Sequence, residues 1–286
     1  MGEIVGAGLV AHVPTIVLPE DVRRELNEGK EISLVPGLHR LRSEVLDHLR
    51  PDTIVVFDTH WFTTVEVVVT AHAHRSGRYT SEELPRGMSA VPYGFDGDPE
   101  LAHAFAAAAD EVEDCWVTAI DDPYLPIHYP TVNLLPFLHA DERWVSVSVC
   151  QTAEPADFLA AGACLARAVE RLDRRVVLLA SGAMSHTFWS LRELRAHEAS
   201  DPTHLISKEA EAADRAVLDA WARGDHAAVI DGMAGYARFK PEGRFGHYLM
   251  MVGALGGRAC TAPGRPFSDY ENSIGTAQCH VWFDLQ

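Results

Sequence analysis

Three short segments place a histidine just behind an apolar run: Ala11-His12-Val13-Pro14, Asp58-Thr59-His60-Trp61 and Ser181-Gly182-Ala183-Met184-Ser185-His186. A fourth segment, Lys240-Pro241-Glu242-Gly243-Arg244, offers a carboxylate in a turn ahead of an apolar stretch. Imidazole together with carboxylate suits zinc, iron, copper or nickel. A histidine left over beside such a centre has a pKa suited to moving protons near neutrality. Each residue also has a plainer role. A histidine after a strand often only bonds within its turn, and a glutamate next to glycine favours the positive end of a helix. His72-Ala73-His74 puts two more imidazoles on one strand face, either as a metal pair or as a polar strand end running into a turn.

For the first four segments to meet, the elements in front of them must end on the same edge of one sheet. Strands are predicted at Ile4–Val10, Thr53–Phe57, Val65–Ala71, Trp116–Ile120, Trp144–Val149, Val176–Ala180 and Ala277–Phe283. Several are unbroken apolar runs, as expected of strands covered on both faces. Helices are predicted between them, at Leu38–Leu49, from Asp98-Pro99-Glu100 onward, at Ala156–Leu172, Ser207–Ala222 and Phe245–Leu255. Asp98 serves as a cap with Pro99 in the first turn. Alternating strands and helices give an α/β fold, a central mostly parallel or mixed sheet flanked by helices. No repeat or linker divides residues 1–286, which are taken as one catalytic domain. About 75–99 reads as a long binding loop. In open α/β sheets, ligands bind outside the carboxyl ends of the strands. If the strands before His12, His60 and Ser181 are parallel, all three histidines reach that edge. Two histidines and one carboxylate on one face of a metal form the facial triad of non-haem Fe(II) oxygenases, with positions left open for substrate and dioxygen.

Composition narrows the alternatives. The chain has 286 residues and a formal net charge of -17, which argues against a nucleic-acid or anionic-membrane surface. No apolar run reaches the ~18 residues of a membrane span, and the start lacks a signal-peptide pattern, so a cytoplasmic location is expected. Five cysteines with no C-x-x-C pair point to buried reduced thiols. Gly6-Ala7-Gly8 fits G-x-G-x-x-G/A only on paper, because Pro14 follows where a helix must open; close packing of a central strand is the better reading.

Taken together, Ala11–Pro14, Phe57–Trp61, Ala180–His186 and Pro241-Glu242-Gly243 resemble the class III extradiol catechol dioxygenases, the protocatechuate 4,5-dioxygenase-like enzymes. Arg78–Pro85 and, more weakly, Asp98–Leu101 resemble the branch that cleaves homoprotocatechuate (3,4-dihydroxyphenylacetate) at the 2,3 bond. The resemblance implies Fe(II), or Mn(II), held by His12, His60 and Glu242, with His186 as the acid–base residue. It implies ring opening of a catechol by dioxygen to a hydroxymuconic semialdehyde, and a homo-oligomer. His128 and Tyr129, in Ile127-His128-Tyr129-Pro130-Thr131, resemble a stretch of the family that supports the ligands or meets substrate. Asp58 is expected either to orient a ligand imidazole or to cap the turn after its strand. With the chain so acidic, a local cation must meet any substrate carboxylate, and Arg244, two residues from Glu242, is the candidate. Other readings are 2-aminophenol, a protocatechuate-like acid or another catechol as substrate, a zinc-dependent hydrolase built on the same ligands, and a binding protein without catalysis.

Overall fold

The computed structural model describes residues 1–85, 87–200, 204–205 and 207–285. Its centre is an eight-stranded mixed sheet. The strands in chain order are β1 (Glu3–Val10), β2 (Thr53–Thr63), β3 (Val67–Thr70), β4 (His74–Tyr79), β5 (Val91–Asp96), β6 (Val117–Ile120), β7 (Arg143–Cys150), β8 (Arg175–Ser181), β9 (Gly264–Pro266), β10 (Glu271–Ser273), β11 (Thr276–Gln278) and β12 (Val281–Phe283). The main sheet runs β6-β3-β7-β2-β8-β1-β12-β9, while β4–β5 and β10–β11 form separate two-stranded ribbons. β7, β2, β8 and β1 are mutually parallel, so His12, His60 and the 181–186 segment leave the sheet at one edge. β12 and β9 close one flank antiparallel.

The apolar runs bury both sheet faces by strict alternation. Leu9, Val55, Phe57, Val147 and Leu178 face one core, and Val10, Ile54, Val56, Val177 and Leu179 face the other. A period of two on a doubly covered sheet turns every position apolar, which is why these strands read as unbroken runs. The first core is roofed by α2 (Pro99–Ala109), α3 (Pro155–Arg171), α4 (Lys208–Ala222) and α5 (Gly246–Ala254); the second packs under α1 (Leu34–Leu41), which continues through a π turn to Leu49. The predicted cap holds, as Asp98 accepts from the Leu101 amide; Ser207, read as helical, is itself a cap and accepts from the Ala210 amide. A Cβ on Gly6 would lie 2.2 Å from the Trp282 ring, so this glycine lets β12 close over β1 and cradles no nucleotide. All five cysteines are buried and free. Among the described residues no helix is long and apolar enough to cross a membrane.

Three expectations are corrected. The region read as one long loop contains the β4–β5 hairpin, whose exposed polar residues (burial alternating in β5) gave too weak an apolar pattern to register. The predicted strand Ala277–Phe283 is two strands in different sheets, broken at Cys279-His280. The His280 ring leaves the ladder to accept from the Ala11 amide and to reach the Leu34 carbonyl. β2 runs on past Phe57 to Thr63, across a register shift in which Asp58 pairs with Ser148 and Phe62 with Val149. Thr59, His60 and Trp61 therefore form a bulge, the device by which a strand re-aims a side chain beside a site.

Candidate metal centre

The bulge in β2 exists because Asp58 holds it. Its Oδ1 accepts from the backbone amides of His60 (3.0 Å) and Trp61 (3.1 Å), and its Oδ2 from Thr131 Oγ1 (3.0 Å). Asp58 thus caps the turn and fixes His60 through its main chain, not through its imidazole. Glu242 arrives from a turn in which Gly243, Arg244 and Phe245 all have positive φ, at 55, 57 and 62°. Successive left-handed residues, two of them not glycine, are strained. They bury Phe245 in the core and turn Arg244 outward, where it donates to the Gln151 carbonyl (2.8 Å) and to Glu154 (3.1 Å). Arg244 is therefore not brought to the site. Two residues along a left-handed turn carry a side chain to the opposite side.

His12, His60 and Glu242 do meet. One potential ligand atom from each lies within 4.8 Å of the others. Glu242 Oε1 is 2.9 Å from His60 Nε2 and 3.4 Å from His12 Nε2. The same carboxylate accepts from Thr59 Oγ1 (2.9 Å) and from the Ala183 amide (2.5 Å). Behind His12, Nδ1 lies 2.9 Å from Ser181 Oγ, whose hydroxyl donates to the Pro130 carbonyl (3.4 Å). That leaves the Ser181 lone pair for an Nδ1–H and His12 Nε2 free to ligate. Asn133 anchors the His12 carbonyl at 2.7 Å. Gly182 lets the edge close, since a Cβ there would lie 2.6 Å from His247 Nε2.

Electrostatics match a cation site. Burial would lower the His60 pKa, but hydrogen bonds to Glu242 and Glu83 outweigh it and raise it to about 10. Burial opposes ionisation of Glu242, yet His12, His186 and His60 hold its carboxyl well below the usual range. Proton and carboxylate are thus held where a dication would take the proton's place. A buried set of two imidazoles and one carboxylate, with neighbours that orient His12 and Glu242 through hydrogen bonds, fits a divalent transition metal.

His186 lies outside this triad. Its amide donates to the Phe239 carbonyl and its ring rests edge-on against Phe188 at 4.6 Å. Burial lowers its pKa below 6.5, against the pull of Glu242, so the ring is neutral at pH 7. Tyr129 opens a short helix with Pro130 in its first turn, which places its hydroxyl 2.6 Å from His60 Nε2, and it donates to Glu83 (3.1 Å). His128 stacks on Trp61 at 6.2 Å, and its Nε2 is buried with no partner among the described residues. His72 and His74 do not pair around a metal: His72 Nε2 meets the Asp122 carbonyl and His74 Nδ1 meets Asp96, each at 2.8 Å.

Sequence reading missed Glu83, Thr59 and His247. Glu83, inside Arg78–Pro85, approaches His60 Nδ1 at 3.4 Å. Thr59 stood between two residues already singled out. His247, fully buried and pushed down to about 3 by burial, was signalled only by being a histidine in an apolar helix.

Residues 6–277 match the family described as the catalytic LigB subunit of aromatic ring-opening dioxygenase. The chain belongs to this family. Within it, the chain is 30% identical over 261 residues to 3,4-dihydroxyphenylacetate 2,3-dioxygenase of Escherichia coli, covering 90% of this chain and 91% of that one. It is 24% identical over 221 residues to the 2-aminophenol 1,6-dioxygenase beta subunit of a Pseudomonas species, covering 73% and 68%. The crystal structure of an uncharacterized protein from Escherichia coli K12 shares the fold seen here, with a TM-score of 0.65 at 20% identity over 98% of this chain and 99% of that one. The extradiol-type dioxygenase family expected from the four segments is thus the one that most of the chain matches.

Proposed function

We propose that the protein cleaves the ring of a catechol with a short carboxylate side chain, 3,4-dihydroxyphenylacetate foremost, by extradiol addition of dioxygen at Fe(II), or Mn(II), held by His12, His60 and Glu242. The observation that carries this reading is the meeting of those three ligand atoms within 4.8 Å at one sheet edge, with His186 beside them but outside the set. The chemistry a bound Fe(II) supplies is one shared site for catechol and dioxygen and a path for electron density between two molecules that otherwise react slowly. The protein's own groups do the rest. Neutral His186 takes a proton from a catechol hydroxyl at its ring nitrogen and returns it when the O–O bond breaks. Tyr129, whose hydroxyl burial keeps protonated, stands beside His60 and ties it to Glu83, to which it donates. Thr59 and the Ala183 amide hold the Glu242 carboxylate in place. Homo-oligomerisation belongs to the same reading, and light scattering at micromolar concentration checks it.

The resemblance to the 2-aminophenol enzyme supports a second substrate reading at the same site. The test is anaerobic reconstitution with Fe(II), Mn(II) or Zn(II), then exposure to air with 3,4-dihydroxyphenylacetate, protocatechuate, catechol and 2-aminophenol. A yellow ring-opened product, formed fastest from 3,4-dihydroxyphenylacetate, is expected. Faster turnover of 2-aminophenol would select the second reading. Hydrolysis with zinc in the absence of air would overturn both.

A further inference from the structure

A cleft of about 1000 Å³ lies under the β4–β5 hairpin, walled by the hairpin and by the 121–128 segment. Arg75 lines it, and that residue is only 8% exposed. Among the described residues three other arginines are not exposed, and each holds a carboxylate: Arg23 with Glu31 at 2.8 Å, Arg42 with Asp47 at 2.7 Å and Arg174 with Glu100 at 2.5 Å. Among the described residues Arg75 donates only to the Leu125 carbonyl, and burial lowers its pKa with no carboxylate among them to offset it. A guanidinium stays charged in proteins, and a buried charge without a counter-charge is costly. Glu82 and Asp121 also line the cleft, but neither forms an ion pair with Arg75. A second unmet donor or acceptor is nearby, the buried Nε2 of His128 on the same wall.

The cleft lies beside the metal centre, since His128, which lines it, is close enough to feel the charges of both Arg75 and His60. Glu82 and His128 line it, and the next residues, Glu83 and Tyr129, both touch His60. His60 is also the most open of the three candidate ligands, at 18% exposed against 4% for His12 and 6% for Glu242.

We propose that Arg75 is the carboxylate-binding residue of this enzyme, so that an aromatic diol lies with its hydroxyls at His12, His60 and Glu242 and its side-chain carboxylate on the Arg75 guanidinium, past His128. The proposal rests on the ring-cleavage reading for the diol end but not for the anion end. In a chain of net charge -17, attraction of an anion must be local, and a buried guanidinium supplies it with two parallel donors.

Two measurements test it. Calorimetry of the purified protein under anaerobic conditions compares 4-hydroxyphenylacetate with the neutral 4-hydroxyphenethyl alcohol. The carboxylate is expected to bind roughly 10- to 100-fold tighter, the usual worth of a hydrogen-bonded charge. Arg75→Gln should bring that ratio near one, and Arg75→Lys should keep part of it. In turnover, Arg75→Gln should lower the ratio of kcat/KM for 3,4-dihydroxyphenylacetate to that for 4-ethylcatechol by a similar factor. Equal binding of the two phenols by the wild-type protein would overturn the proposal without any variant, so a misfolded Arg75→Gln does not shield it. An unchanged ratio in a folded Arg75→Gln would overturn it too. Absence of ring cleavage with every catechol would sink the proposed reaction, while the calorimetry would still decide the anion site.

Discussion

Replacing Asp58 by alanine removes the acceptor that shapes the β2 bulge. The carboxylate is 1% exposed and takes three donors, the amides of His60 and Trp61 and the Thr131 hydroxyl. Thr131 keeps a partner in Ser146 Oγ at 2.9 Å, so two backbone amides are left unmet. Each such buried donor costs about 1–3 kcal/mol, which gives a destabilisation of roughly 2–6 kcal/mol. Asp58→Asn keeps one oxygen for the two amides, and Thr131 can turn its lone pair to the new amide. Its cost should be about 1 kcal/mol. The same anchor sets where His60 points, so metal affinity should fall about 10- to 100-fold in Asp58→Ala, the range seen when a ligand loses its supporting hydrogen bonds. Urea denaturation of the metal-free protein reads the first quantity, and competitive titration against a chromophoric chelator reads the second. An alanine variant within 0.5 kcal/mol of wild type (about the scatter of neutral surface changes), with unchanged metal affinity, would show that the bulge holds itself and that Asp58 is incidental.

Three further outcomes are expected. His60→Ala should lose most of its bound metal, measured by elemental analysis after reconstitution; wild-type content would remove His60 from the ligand set. His186→Asn should keep the metal yet lose roughly 10²–10⁴-fold in turnover, with loss of the acidic limb that its lowered pKa places below pH 6.5; near-normal turnover would make it a bystander. His280, pushed by burial from 6.5 to about 4, favours the neutral ring in the folded state. Its contribution is therefore complete above pH 6.5 and is lost as pH falls from 6.5 toward 4, about 3 kcal/mol by the lower value. Denaturation at pH 7 and pH 4 should show this drop, and His280→Gln should shrink it; an equal drop in the variant would assign the acid sensitivity elsewhere.

Local signals in the sequence were enough for the strands that bury both faces, the helices with the Asp98 cap, and the four segments that carry the site. An apolar run or a cap is complete within a few residues. The sequence also placed His12, His60 and Ser181–His186 on one edge, because parallel strands in an α/β sheet present their carboxyl ends together. Direction was beyond it. Arg244 is near Glu242 in sequence but turned outward in space, because the backbone is left-handed from Gly243 through Phe245. Asp58 reaches amides and not an imidazole because β2 bulges there, and a bulge depends on the register of a partner strand almost 90 residues away. Arg75 carried no signal at all in sequence. Its burial without an ion pair among the described residues exists only once the hairpin folds over the 121–128 segment and takes the charge out of water.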